Sequence, residues 1–264
     1  MEAIDQLSTF GYTVLKGVLT KTTCSSMLDS LEKVAARRIA DNTAFFHNPS
    51  QTILRDVHLD APDPFLSLLD EPRVDELVKQ VFKDGYILQN MNASRANAAE
   101  GSPPHIDSRI AGVGMSHTTS LFAAFCITDF TVENGATKIW PFSHMSGLNP
   151  RDARFAAAEL PTPVIATAEA GDVLVGLGQT WHQAGINLSG APRWGCFTFF
   201  VPWWHRPNWD YRDCGEEIYG MLTPRQKEIL GFTTQVPHAG STRNYTKIAL
   251  DALPAEYDKA KNVP

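Results

Sequence analysis

An all-β core, sandwich or barrel, flanked by helices is the fold class that three observations predict. Between residues 85 and 202, six runs rich in β-branched and aromatic residues alternate with Gly, Pro, Asn and Ser. Ahead of them the apolar residues recur at helical spacing, and a short helical pattern returns near the end. The length of 264 residues, 43% hydrophobic and 20% charged, suits one large domain with additions. The expected layout is an N-terminal strand and helical layer over about 1–84, a β core over about 85–202 and a C-terminal extension over about 203–264.

Each element has its own signal. "GYTVLKGVL" reads as a first strand, and the next segment places Met27, Leu28, Leu31, Val34 and Ala35 on one side of a helix. Shorter helices are expected around "DPFLSLLDEP" and "RVDELVKQVF", with Pro72 separating them. The core strands are "YILQNMNAS", "TTSLFAAFCITDF", "ATKIW", "TPVIATA", "DVLVGLG" and "WGCFTFFVPWW". "LTPRQKEILGF" closes the chain's helical content, with Thr223 as N-cap and Pro224 in the first turn.

Charge and cysteine usage narrow the partners. The net charge is -6 with no run of Lys or Arg, so no nucleic-acid partner is expected. "MEAIDQLSTFGYTVLKGVLT" lacks a basic stretch followed by an apolar one, and no stretch approaches membrane-spanning length, so the expectation is a cytoplasmic protein with no membrane partner. Cys24, Cys126, Cys196 and Cys214 are scattered, and Cys126 and Cys196 read as reduced thiols in buried strands.

The candidate chemistry begins at "GSPPHIDSR". His105 and Asp107 stand two residues apart, a spacing that on a strand turns both side chains to one side. By itself the pair decides little. His182 follows "DVLVGLG", however, and offers a third ligand from a facing strand. Two imidazoles and one carboxylate leave positions open on an octahedral ion, which suits non-haem Fe(II). A structural zinc takes four protein ligands, and only three are found. Arg193, eleven residues beyond His182, supplies a guanidinium able to hold a carboxylate through two charge-assisted bonds.

With these residues in view, the chain resembles the phytanoyl-CoA dioxygenase family of Fe(II)- and 2-oxoglutarate-dependent oxygenases over roughly residues 8–235. Three stretches carry the likeness. "HID" at 105–107 is similar to the family's HxD motif. "ENGATKIWPFSH" at 133–144 resembles the segment that runs to the family's Pro-Gly-Ser-His turn, with Phe142 in place of glycine. "GDVLVGLGQTWHQAGINLSGAPR" matches the pattern at Gly171, Asp172, His182, Gly185, Asn187, Ser189 and Arg193. Ser102 stands where relatives often have glutamine.

The resemblance implies a double-stranded β-helix (jelly-roll, cupin-like), Fe(II) on His105, Asp107 and His182, and the far carboxylate of 2-oxoglutarate on Arg193. Thr137 resembles a threonine that assists cosubstrate binding in fungal natural-product members, and Arg55 lies where relatives place a basic residue reaching toward the cosubstrate. It further implies that O2 and 2-oxoglutarate are consumed, that succinate and CO2 are released, and that a substrate carbon is hydroxylated, desaturated, epoxidised or rearranged. Asp107 speaks against halogenation, because related halogenases replace this carboxylate with a small residue.

The expected substrate is a small, largely apolar molecule of natural-product type. "PWWHRPNWDYRDC" concentrates Trp203, Trp204, Trp209 and Tyr211 after the last strand, and reads as a lid over the barrel mouth with a homodimer contact, or as packing. His144 reads as a turn-stabilising residue; His47, His58, His117, His205 and His238 read as surface or turn residues. Two other classes stay open: a non-oxidative metal-dependent isomerase or lyase on a cupin-like barrel, and a catalytically silent binding protein.

Overall fold

β-Branched and aromatic strands pair antiparallel into two facing sheets, and the helices collect on the outer side of the larger one. The computed structural model describes residues 1–83, 85–97, 101–108, 118–152 and 160–233. The N-terminal third forms α1 (Ala3–Phe10), β1 (Tyr12–Leu15), α2 (Lys21–Ala40), β2 (Phe46–His47), β3 (Gln51–Arg55), α3 (Val57–Asp60), α4 (Pro62–Phe65) and α5 (Pro72–Val81). The core strands are β4 (Tyr86–Ala96), β5 (Leu121–Cys126), β6 (Thr137–Ile139), β7 (Val164–Ala166), β8 (Val173–Leu177), β9 (His182–Gln183) and β10 (Arg193–Pro202). Helices α6 (Gly215–Met221) and α7 (Pro224–Ile229) follow.

The larger sheet runs β1-β8-β5-β10-β4-β3-β2 and the smaller β7-β6-β9. This is the double-stranded β-helix. Its larger sheet is not confined to 85–202, because β1 pairs with β8 on one edge and β3 with β4 on the other. The run "QTILR" is too short to show a strand by periodicity; pairing along β4 makes it one.

Strand β10 sets the geometry of the interior. Alternation puts Arg193, Gly195, Phe197 and Phe199 on one face and Trp194, Cys196 and Thr198 on the other. In register across the sheet lie Arg193, Ala96 and Gln51, then Gly195, Ser94 and Ile53, then Phe197, Asn92 and Arg55. The inner face meets the small sheet through Phe122, Ala124, Leu174, Ile139 and Ala166. The outer face carries Trp194 and Cys196 into the helical core with Met27 and Leu31.

Helix α2 begins at Thr20, whose hydroxyl accepts from the Thr23 amide at 3.1 Å. Met27, Leu31, Val34 and Ala35 are buried as the spacing predicts, and Leu28 is half-buried. Truncating Leu31 to Ala would cost about 2–5 kcal/mol by the usual behaviour of a filled core site. Helix α2 is tied to the sheet through Glu32, which accepts from Trp194 Nε1 at 2.7 Å and pairs with Arg95 at 3.2 Å. Pro72 opens α5 rather than merely dividing two helices, and the Glu71 carboxylate caps it through the amides of Arg73 and Val74.

The C-terminal helix α7 has the expected cap, Thr223, completed by Gln226 into a capping box. Tyr211 is buried and its hydroxyl donates to Asp56 Oδ1 at 2.9 Å. The packing reading therefore holds for Tyr211. Cys24, Cys126 and Cys196 are buried free thiols, and burial pushes Cys126 up to about 12. Among the described residues no helix is long and apolar enough to cross a membrane.

Candidate metal centre

An irregular segment carrying His105 and Asp107 meets the start of β9, which carries His182. His105 and Asp107 lie outside the named strands, which corrects the expectation that both ride on one. His105 and His182 exchange backbone bonds, N–H to carbonyl at 2.9 and 3.0 Å, as an isolated antiparallel bridge. The Asp107 amide donates to the Gly178 carbonyl at 2.9 Å. His182 begins β9, which is fixed opposite Ile139 of β6. Both halves of the site thus hang on main-chain bonds.

The side chains converge. One ligand atom from each of His105, Asp107 and His182 lies within 4.8 Å of the others. The imidazole Nε2 atoms stand 3.8 Å (His105) and 3.4 Å (His182) from the Asp107 carboxylate. Each Nδ1 is 2.9 Å from a carbonyl, that of Pro103 or Thr180. A carbonyl only accepts, so each Nδ1 carries the proton and each Nε2 presents its lone pair. Burial, and next the nearby His182, hold His105 below the usual histidine range, against the opposing pull of Asp107. A neutral imidazole is the form that binds a metal. Two lone pairs and a carboxylate oxygen on one side, in a cavity of about 330 Å³, fit an octahedral Fe(II) with open positions.

Arg193 faces the same cavity and is 5% exposed. Its Nη1 donates to the Gly135 carbonyl and its guanidinium carbon lies 4.3 Å from the Phe130 ring centroid. Its Nε has no partner, and no carboxylate pairs with it among the described residues. Desolvation lowers it to about 10, which leaves it charged at neutral pH. A buried cation without a counter-ion calls for an anionic ligand. Gly135 makes this geometry: its φ of +77° favours glycine, and a Cβ there would stand 2.4 Å from the Gly185 carbonyl.

Thr137 is buried on β6 and lines the cavity. Arg55 does not join it. It follows Gln51 and Ile53 on the cavity face of β3, yet its guanidinium stacks 3.4 Å from the Phe45 ring centroid, toward solvent. Ser102 supports the wall by accepting from the Ala184 amide at 2.8 Å. Phe142 adopts φ +67° and packs edge-on against Phe10, which explains why a glycine suits this turn.

The other histidines separate. His144 donates from Nε2 to the Ser8 carbonyl at 3.1 Å, a turn-to-helix contact. His47 is exposed and bonds Thr52. His205 is half-buried and stacks on Trp204. His58 corrects the surface assignment: it is fully buried beside Tyr211, neither ring nitrogen has a partner, and burial holds it down to about 3. His117 and His238 lie outside the described residues. Sequence reasoning missed the polar wall of Gln51, Asn92 and Ser94, and Arg151 on the rim; none carries a motif, and only the register of β3 and β4 and a turn bring them in.

A model of the phytanoyl-CoA dioxygenase (PhyH) family matches residues 7–195. The chain belongs to this family. As a PhyH-family member it is, in kind, a non-haem iron and 2-oxoglutarate-dependent dioxygenase. Among curated relatives, dioxygenase andF of Emericella variicolor is 34% identical over 113 residues, 42% of this chain and 37% of andF. Dioxygenase af480 of Aspergillus fumigatus is 27% identical over 241 residues, 88% of this chain and 77% of the relative. The match to andF thus spans little more than a third of that protein. Among solved structures, the epimerase SnoN, determined with Fe3+, alpha-ketoglutarate and a nogalamycin compound, shares the fold at TM-score 0.61 and 22% identity, over 76% of this chain and 82% of SnoN. HygX from Streptomyces hygroscopicus, with iron bound, gives TM-score 0.63 at 17% identity over 78% and 88%.

Proposed function

We propose that this PhyH-family chain, folded as one domain, oxidises a small natural-product-type molecule with Fe(II) on His105, Asp107 and His182. The observation that carries the reading is the pairing of this triad, its imidazole protons held by carbonyls, with the buried Arg193 guanidinium, whose Nε has no partner and which no carboxylate meets among the described residues, in one cavity. Arg193 binds the far carboxylate of 2-oxoglutarate, and the Thr137 hydroxyl assists. Iron with 2-oxoglutarate and O2 supplies the oxidising equivalent, with succinate and CO2 released.

The protein's own part is positional. The Pro103 and Thr180 carbonyls keep the imidazoles in the tautomer that donates from Nε2. Phe122 packs 5.0 Å from the His182 ring, and Phe197 and Phe199 continue the apolar wall that keeps water from the reacting carbon. Hydroxylation is the default outcome, and desaturation, epoxidation or rearrangement would follow from where that carbon is held.

Anaerobic titration of the protein with Fe(II) and 2-oxoglutarate, followed by O2 and assay of succinate, tests the reading. A visible charge-transfer band and succinate release are expected in the wild type, and neither in His182→Ala. A wild type that releases no succinate favours a non-oxidative isomerase, and one that binds neither metal nor cosubstrate favours a silent binding protein.

A further inference from the structure

The rim of the cavity holds a second cation that the cosubstrate does not require. Arg151 lines the same cavity as the triad. Its Nε donates to the Pro104 carbonyl at 3.2 Å, and that carbonyl belongs to the peptide joining Pro104 to His105. The loop carrying it is hung from the other ligand as well, because Trp181, directly before His182, donates its indole N–H to the Leu148 carbonyl at 2.8 Å. Within the loop, Asn149 Oδ1 accepts from the Arg151 amide at 3.0 Å, and the Asp152 amide donates to the Asn149 carbonyl at 2.9 Å. The guanidinium is therefore anchored at its base beside the metal ligands.

Its outer edge has no such engagement. Among the described residues no carboxylate forms an ion pair with Arg151, although the chain as a whole is acidic. Among the described residues, Asp107 is the single acidic side chain lining the cavity, against Arg193 and Arg151. With Fe(II) bound, the positive charges of these described groups number four; Asp107 and doubly charged 2-oxoglutarate offset three of them. One positive charge is left, and it sits on the rim. Arg151 is exposed at that rim, so its guanidinium is open to a ligand that reaches the cavity mouth.

We propose that Arg151 is a specificity-determining residue that binds a carboxylate on the substrate, so that the substrate is a monoanion with an apolar body. This rests on the metal-centre reading above. Nε is used by the Pro104 carbonyl, and the two terminal nitrogens form the fork that matches a carboxylate. The body then lies on Phe122, Phe197 and Phe199, with Gln51 and Ser94, themselves joined at 3.0 Å, on the polar side. This narrows the expectation of a largely apolar substrate: the aromatic wall serves the body, and the rim cation selects the acid.

The test uses the full chain loaded anaerobically with Fe(II) and 2-oxoglutarate, and a library of small carboxylic acids, each paired with its primary amide. Binding is read by calorimetry, and the Fe(II)–2-oxoglutarate charge-transfer band is recorded in every sample. The wild type is expected to bind its best acids at least about tenfold more tightly than the matching amides. Arg151→Gln should erase that preference while keeping the band, the 2-oxoglutarate affinity and the melting temperature, and Arg151→Lys should restore part of it. A library in which no acid outbinds its amide, or a preference that survives Arg151→Gln, overturns the proposal. So does a loss of 2-oxoglutarate affinity in Arg151→Gln, which would assign the rim cation to the cosubstrate. A wild type without the band contradicts the metal-centre reading and this proposal together; a band without the acid preference contradicts this proposal alone.

Discussion

Two hollows of this molecule differ in a way that volume would misjudge. The groove under Trp203 and Trp204 is the larger, about 1280 Å³, and is lined by residues such as Leu7, Phe82, His144 and Met145. The cavity around His105 is about a quarter of that size. Yet His105, Asp107 and His182 form the one group of side chains found among the described residues that could hold a metal ion, and the buried Arg193 sits with them. What marks a site is the convergence of a few polar groups on a concave wall, held by their own partners.

The comparison also bears on the aromatic segment. Trp203 and Trp204 line the large groove, Trp209 is exposed, and Tyr211 is core. None of the four lines the cavity of the triad, so the lid reading is not supported by where these residues stand. The groove lies at the surface of α1 and α5, whereas the metal cavity lies between the two sheets.

Substitutions can break this contrast, beginning with the ligands. His105→Ala, Asp107→Ala or His182→Ala should each lower succinate release by about a thousandfold or more, because two ligands neither hold nor orient the metal. Normal turnover in any of the three would remove that residue from the centre. Next in size, Arg193→Ala should raise the apparent KM for 2-oxoglutarate by on the order of 100-fold, since truncating one partner of a buried charge pair costs about 2–5 kcal/mol. Metal affinity, followed by Fe(II) titration without cosubstrate, should stay unchanged.

A third expectation concerns stability rather than turnover. His58 is held at about 3 in the folded chain against 6.5 as its ordinary value. Below pH 6.5 the unfolded chain takes up a proton that the native chain refuses, so stability present above that pH is lost as pH falls toward 3. Between pH 7 and pH 5 the loss amounts to about 2 kcal/mol. Urea melts of His58→Leu should show a pH dependence weaker by that amount; identical slopes for both proteins would mean that His58 is protonated in the fold. The smallest effect is expected at the groove: Trp204, 60% exposed, should tolerate Ala within about 0.5 kcal/mol. Its 2-oxoglutarate KM and product distribution should match the wild type, and a shifted product distribution would return the segment to the active site.

What could be read from the residues alone were the features carried by local pattern. Runs of β-branched and aromatic residues bounded by turn residues marked β4, β5, β6, β7, β8 and β10, the spacing of Met27, Leu31, Val34 and Ala35 marked α2, and Thr223-Pro224 marked α7. The HID motif, His182 and Arg193 were legible because each carries a distinctive residue type in a recognisable stretch. Strands β2, β3 and β9 were not, since two to five residues show no period: β3 and β9 exist by pairing with β4 and β6, about 40 residues away, and β2 only as the edge partner of β3. Helix α1 and the burial of His58 were hidden for a related reason: a polar side chain carries no sign of what will be packed over it, and Tyr211 reaches His58 from more than 150 residues away. Arg55 and Thr137 looked alike as candidates, and tertiary structure separated them, turning one to Phe45 at the surface and the other into the cavity. Local sequence specifies which elements form because periodicity and capping act within a few residues. Which side chains meet depends on register across strands far apart in the chain, and that is set only when the sheets close.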